Sequence, residues 1–325
     1  MKARRMRGLL CVLLLGAVVL SATGCLSGLK EPYRLEERIP VMEAGQPRST
    51  GYADGFASDL CVVEDESSFD RDDVTSEAAA LFDINGRETL YSKEAFEKLY
   101  PASITKVMTA LVAIKNGDLN DRVAVTDEAV ITEAGATLCG IEPGDTLTLE
   151  QLLYGLMLPS GNDAGAAIAV HMAGSIDGFA EMMNQEAASL GATGTHFVNP
   201  HGLNDPDHYT TAYDLYLIFN EALTYPVFRQ IIGTTAYTAN YHNKNSEAVS
   251  KTWKGGNWFM THERETPEGL TVVGGKTGTT QSAGYCLIMA SRDQNDREYI
   301  SVVLKADSRP RLYDNMTNII SKIVK

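Results

Sequence analysis

Strand signals stand at the two ends of the patterned chain and helix signals fill the interval between them, and this order most restricts the fold. Near one end, "SEAAALFDINGRETLYSK" holds two short runs, Ala78–Ile84 and Glu88–Ser92, on either side of Asn85-Gly86. That dipeptide is the strongest short-range hairpin signal. Near the other end come "LTVVGGKTG", "AGYCLIMAS" and "EYISVVLK", the last two joined by the turn-forming Asp293-Gln294-Asn295-Asp296. Between about 102 and 224 the signals are mostly helical. Thr148 and Gln151 stand in capping-box spacing before an apolar run, and Thr211 with Asp214 opens "TTAYDLYLIF" in the same manner. The interval 234–265 shows no sustained period, although "TTAYTANY" admits a strand. A final amphipathic helix is expected over Asn315–Val324. Strands from both ends can bury an apolar face only by joining one sheet, so the pattern predicts an α+β fold. In it, an antiparallel sheet is formed by both chain ends, with a helical insertion beside it.

The first residues, "MKARRMRGLLCVLLLGAVVLSATGC", follow another logic. Basic residues precede an apolar run from Leu9 to Leu20, shorter than the ~20 residues that span a bilayer, as in a secretory signal. Small residues and Cys25 come next, as in a bacterial lipobox with Ala22 where Leu is more usual. The expected division is a lipoprotein-type signal peptide over 1–24, an acid-rich tether over 25–73 and a folded domain over 74–325. Lipidation is expected at Cys25, with cleavage by an ordinary signal peptidase as the alternative. Within the tether, "GFASDLCVV" also admits packing on the domain. The formal charge is −14, and removing the four cations of the first 24 residues leaves −18. Such a surface repels phosphate, so nucleic acid is not expected as a partner. Cys61, Cys139 and Cys286 have no metal-site spacing. A Cys61–Cys139 bridge is open, and separate buried thiols are expected. No metal or cofactor is expected.

Three short stretches carry chemistry. In "PASITKVMTAL", Ile104, Val107, Met108, Leu111 and Val112 make a helical apolar stripe. Ser103 and Lys106 share its flank, three residues apart. A serine hydroxyl needs a base before it can attack, and a lysine can be that base once burial or a neighbouring cation lowers its pKa. In "LPSGNDAG", Ser160 and Asn162 occupy a helix-to-helix turn, where local capping is the plainer reading. In "GGKTGTT", Lys276 is read as ending a strand beside glycines that admit close approach of another backbone. A phosphate loop is excluded, because Leu270 stands where G-x4-G-K-T needs its first glycine.

S-x-x-K, S-x-N and K-T-G in this order form the signature of penicillin-interacting serine enzymes. With "LLYGLMLPSGNDA", "NPHGLNDPDHYTTAYDL" and "GGKTGTTQSAGYC", the chain from about 74 to 325 resembles the D-alanyl-D-alanine carboxypeptidases of the low-molecular-mass penicillin-binding proteins, peptidase family S11. The resemblance implies that Ser103 is acylated by a peptidoglycan stem peptide, with Lys106 as its base. It implies that Ser160 relays a proton to the leaving amine and that Asn162 holds Lys106 and the substrate amide. Lys276, as a fixed cation, and Thr277 would take the terminal carboxylate. The substrate would lie antiparallel to Lys276-Thr277-Gly278, with the backbone N–H groups of Ser103 and Thr279 as oxyanion hole. β-Lactam antibiotics are implied as inhibitors. His208 and Asp214 match family positions, for which a structural role at a capped helix start is expected. Thr279 replaces a larger residue often found there. The C-terminal β-domain and amphipathic anchor of many relatives are not expected. An N-terminal lipid would instead hold the enzyme on the outer face of a bacterial cell membrane; without it the protein would be secreted.

Two rivals share the fold. A class A-like β-lactamase needs a deacylating glutamate, and no Glu stands from Ala187 to Asn220. A penicillin-sensing binding protein would acylate once and release nothing.

Overall fold

The computed structural model describes residues 60–63, 69 and 73–324. The expected signal segment, Cys25 and most of the expected tether lie outside the described residues. Strand β1 (Ala78–Asp83) and strand β2 (Glu88–Lys93) form the expected hairpin. Its turn is tied by Asp83, whose Oδ1 accepts the N–H groups of Asn85 at 3.0 Å and Gly86 at 2.7 Å. Strands β7 (Leu270–Thr280), β8 (Gly284–Asp293) and β9 (Glu298–Ala306) close the chain's other end. To keep the numbering in chain order, β3 to β6 denote Arg122–Ala124, Thr146–Thr148, Ala236–His242 and Ala248–Lys254. One antiparallel sheet of order β2-β1-β9-β8-β7 therefore unites both ends, with Ala78 opposite Leu304 and Asp83 opposite Tyr299.

This sheet is a middle layer. Ala78, Ala80 and Phe82 of β1 face the large apolar core with Ile288, Ile300 and Val302. Ala79 and Leu81 face a second core with Leu287, Val303, Leu312, Tyr313 and Met316. Burial on both faces explains why β1, β8 and β9 read as nearly unbroken apolar runs rather than alternating ones.

The helices of the insertion are α1 (Lys106–Asn116), α2 (Leu149–Met157), α3 (Asn162–Ala173), α4 (Ile176–Ser189), α5 (Ala212–Leu223) and α6 (Pro226–Ile232), followed by the short α7 (Trp258–Thr261). The capping box of α2 forms, with Thr148 Oγ1 accepting from Gln151 N at 3.1 Å and Gln151 Oε1 accepting from Thr148 N at 2.9 Å. The last helix, α8, spans Arg309–Ile320 and ends in a 3-10 turn, Ser321–Val324. It starts six residues before the expected Asn315, because Ser308 caps it and Pro310 favours its first turn.

Two features depart from expectation. A second sheet, β3-β4-β5-β6, arises from the region taken as helical and from the unreadable interval. And packing begins before residue 74. Cys61 is fully buried; its N–H donates to Tyr216 Oη at 2.9 Å, and its carbonyl accepts from Tyr213 Oη at 2.8 Å. The packed alternative for "GFASDLCVV" thus describes Leu60–Val63, of which Leu60, Cys61 and Val63 reach the core that a solvated tether would leave bare, while Val62 stays exposed. Cys61, Cys139 and Cys286 are separate buried thiols. None of the described helices is long and apolar enough to cross a membrane.

Candidate active site

Ser103 lies in a 3-10 turn, Ala102–Thr105, and Lys106 is the first residue of α1. In a 3-10 turn, side chains at i and i+3 eclipse, a more direct alignment than the helical spacing expected from sequence. Lys106 Nζ consequently lies 2.9 Å from Ser103 Oγ. It also lies 2.8 Å from Asn162 Oδ1 and 2.6 Å from the carbonyl oxygen of His201. Lys106 is fully buried. A neutral amine offers two N–H donors and one lone pair. It can therefore donate to the two carbonyl oxygens and accept from the Ser103 hydroxyl, which satisfies all three contacts at once. Burial pulls the pKa of Lys106 well below the ordinary lysine value, the Lys276 charge pulls it further, and Asp163 opposes them.

The His201 contact had no specific signal beyond turn chemistry. In "NPHGL", Asn199 Oδ1 accepts the N–H groups of His201 at 3.2 Å and Gly202 at 2.7 Å, which holds the loop so that its carbonyl faces Lys106. Gly202 has φ +86°, and a Cβ there would sit 1.8 Å from Ala102 O. Only glycine lets this loop rest against the serine-bearing turn.

Ser160 has φ +66°, and its Oγ is buried without a hydrogen-bond partner among the described residues. Gly161 is required: a Cβ there would lie 2.7 Å from both Cys139 Cβ and Asp163 Oδ1. Asp163, which the sequence did not single out, is buried at the start of α3. Its carboxylate accepts the N–H groups of Cys139, Gly140, Ile141 and Ala164 at 2.7–3.2 Å. Asn162 N donates to Thr137 O at 2.8 Å, so the loop 137–141 is bound to Asn162 and Asp163 at the end of the S-x-N turn. The second sheet backs this loop, since Trp253 Nε1 donates to Cys139 O at 2.9 Å and Lys251 Nζ to Gly140 O.

Strand β7 does not end at Lys276. Pairing with β8 continues through Thr277, Gly278 and Thr279 to Thr280. The glycines do not break it because they serve approach, not a turn: a Cβ on Gly278 would lie 2.9 Å from Pro101 O and 3.0 Å from Ser103 N. Lys276 is buried, and its Nζ donates to Thr277 O at 2.9 Å. Burial lowers its pKa to about 7, so near neutral pH its charge is partial, and a carboxylate beside it would favour the charged form. Thr279 is exposed, and its hydroxyl donates to Gly278 O at 2.8 Å.

His208 does more than stand near a helix start. Its Nδ1 accepts from Val198 N at 3.2 Å, which leaves the proton on Nε2 to donate to Thr105 Oγ1 at 2.8 Å. Burial keeps this imidazole neutral, lowering its pKa to about 4. Asp214 keeps its structural place: its carboxylate accepts from Thr195 Oγ1 at 2.7 Å, and its N–H is capped by Thr211. Among the described residues no cluster of His, Cys, Asp and Glu suits a metal ion.

The model of peptidase S11, described as D-alanyl-D-alanine carboxypeptidase, matches residues 65–308. The chain belongs to this family. D-alanyl-D-alanine carboxypeptidase DacF of Bacillus subtilis is 33% identical over 237 residues, which cover 72% of this chain and 58% of that protein. DacB2 of Mycobacterium tuberculosis is 33% identical over 241 residues, covering 73% and 78%. Among solved structures, the DD-transpeptidase of Streptomyces K15 superposes with TM-score 0.71 at 31% identity, over 77% of this chain and 97% of that one. The α+β fold of this chain is thereby like that of the Streptomyces enzyme. The chain spans little more than half the length of the Bacillus relative.

Proposed function

We propose that this protein is a serine-type D-alanyl-D-alanine carboxypeptidase that removes the terminal D-alanine from peptidoglycan stem peptides. The carrying observation is the wholly buried Lys106, with the Ser103 hydroxyl at 2.9 Å and two carbonyl acceptors. This environment favours the neutral amine, which takes the Ser103 proton as Oγ attacks the penultimate D-alanine carbonyl. The Oγ–carbon bond forms, the carbon–nitrogen bond breaks, and the amine departs with a proton relayed through Ser160. Water then cleaves the ester and restores the serine. The N–H groups of Ser103 and Thr279 stabilise the oxyanion; one such donor contributes about 3 kcal/mol. The substrate adds as a strand to the open edge of β7, with Asn162 on its amide and Lys276 and Thr277 on its carboxylate. Penicillins acylate the same serine.

Release of D-alanine from a stem pentapeptide, followed by mass, tests this reading. Wild type should yield tetrapeptide and D-alanine. A sensing protein would release none, and dimeric products would indicate peptide transfer instead. Labelled penicillin should mark the Ser103 peptide and vanish with Ser103→Ala.

The membrane-held state is part of the same proposal. Its support is the basic start, the short apolar run and Cys25, which together suit a lipid anchor on the outer face of a bacterial cell membrane. Cys25→Ser should release the protein from membranes or stop its processing; unchanged retention would refute the anchor.

A further inference from the structure

Ser103 sits in a turn that does not hold itself. Ala102, the residue before it, has φ +47°, a left-handed conformation that a residue with a Cβ adopts only where its surroundings impose it. At the other end of the turn stands Thr105, the N-cap of α1. Threonine in that place ordinarily caps the helix with its hydroxyl. Here Thr105 has φ −41° and ψ −36°, already helical, and makes no side-chain cap. It is buried, and its Oγ1 lies 2.8 Å from His208 Nε2 instead. A strained turn and a diverted cap both point to the partner that holds them.

His208 has no nitrogen left for chemistry. A backbone N–H can only donate, so Val198 N at 3.2 Å makes Nδ1 an acceptor and leaves Nε2 to donate to Thr105. The ring is buried, with Phe197 edge-on at 5.5 Å. Its backbone neighbours are fixed as well: Tyr209 pairs both ways with His196, and Thr210 pairs both ways with Leu99. The imidazole therefore joins two pieces of the site. One is the end of the serine turn. The other is the segment Val198–His201, whose last carbonyl accepts from Lys106 Nζ at 2.6 Å. One turn along α1, Thr109 Oγ1 donates to Pro200 O at 2.6 Å, so Thr105, Lys106 and Thr109 form one stitched face of the helix. We propose that His208 is a positioning residue: by tying Thr105 to the Val198–His201 segment, it sets the Ser103 hydroxyl and the His201 carbonyl around Lys106 Nζ. The inference rests on the reading of Lys106 as the base. A displacement of about 1 Å caused outside the reacting atoms can cost on the order of a hundredfold in rate.

The test is penicillin acylation followed by stopped-flow over a range of penicillin concentrations, which separates initial binding from the acylation step. His208→Gln sets an amide nitrogen near the place of Nε2 and keeps a donor for Thr105. His208→Asn reaches only the place of Nδ1 and loses that donor. The acylation step is expected to fall at least about tenfold in His208→Asn and to stay within about threefold of wild type in His208→Gln, with initial binding within about twofold in both. Thr105→Val cuts the same link from its other end and should slow the step by about as much as His208→Asn. Joining the two changes should add no more than about twofold, as for residues that act through one contact. Should His208→Asn not fold, Thr105→Val, which keeps the shape of the side chain, decides alone. Equal losses in His208→Asn and His208→Gln, losses confined to initial binding, losses that multiply in the double variant, or undiminished acylation in Thr105→Val would overturn the positioning role and leave Lys106 as the base. A wild type that takes up no penicillin would overturn both.

Discussion

The two sheets of this molecule differ in how they are built and in what they hold. The five-stranded sheet is buried on both faces and carries Lys276 on its edge strand. The four-stranded sheet is mostly exposed; β5 buries only Ala239 and Tyr241, and β6 only Trp253. Yet the smaller sheet is no ornament. Through Trp253 and Lys251 it grips the loop that is fastened to Asn162 and Asp163, next to Ser160. One sheet delivers a residue into the cleft by its own strand; the other steadies a loop that steadies a turn. A site can thus depend on a layer that contributes nothing to it directly.

The largest effect is expected where the two supports converge, on Lys106. Lys106→Arg keeps a charge that no working pH removes and forfeits base catalysis worth roughly 10²–10⁴-fold. Penicillin acylation, measured by stopped-flow or gel labelling, should fall at least about a thousandfold with the fold retained. Near-normal acylation would assign the base elsewhere.

Asp163→Asn probes the loop's fastening. The amide replaces one oxygen, so at least one of the loop's N–H groups meets a donor instead of an acceptor. At about 1–3 kcal/mol for each buried group left unpaired, unfolding free energy should drop by roughly 2–6 kcal/mol for the two N–H groups on one oxygen. Acylation should slow about tenfold. Stability lost with acylation unchanged would reduce Asp163 to a scaffold.

Lys276 offers a pH test of the larger sheet. In the unfolded chain it holds its proton to ~10.4, whereas the folded protein releases it near pH 7. Between about pH 7 and 8.5 the unfolded state therefore binds more protons, and stability rises with pH. Above ~8.5 the buried Cys61 and Cys286, pushed up to about 11 and about 12, act oppositely, since their unfolded forms ionise first. Chemical denaturation across that first window should show a rise of roughly 1.5 kcal/mol from Lys276 alone, absent in Lys276→Met. An unchanged slope would mean the lysine stays charged when folded.

The smallest effect sharpens the comparison. Trp253→Phe keeps one aromatic ring but removes the indole N–H bound to Cys139 O, a loss of about 1 kcal/mol, together with the part of the indole that packs beside Gly155. If the second sheet steadies the S-x-N turn, acylation should slow a few-fold. A stability loss with no kinetic change would confine that sheet to scaffolding.

Legibility in sequence follows the same division. The strands of the large sheet could be read because two-sided burial leaves apolar runs, and the site's motifs because their residue types are chemically specific. Of the small sheet only β5 was legible, in the "TTAYTANY" that admits a strand; β6 was obscured because "AVSKTWK" exposes most of its length, and β3 and β4 because they have three residues each. Its hairpin did leave a trace in "HNKNS", where Asn243 Oδ1 accepts from Asn245 and Glu247. The carbonyl of His201 and the carboxylate of Asp163 were hidden for another reason. Each acts through backbone groups, and a backbone carbonyl or N–H is the same in every residue.

The pairing of Ala78 with Leu304 also decides when this chemistry can begin. A central strand whose partner is near the far end of the chain makes a fold of long-range contacts, which form slowly because distant segments must meet first. At about 5–20 residues per second, synthesis separates Ser103 from β9 by on the order of ten seconds or more. On the proposed mechanism, Lys106 then has neither Lys276 nor a closed core to lower its pKa, so it would keep its proton and the serine would stay idle. Reactivity is therefore a property of the finished chain. A chain cut short before Ala306 should be inert rather than weakened, since what it lacks is the strand that joins its two ends.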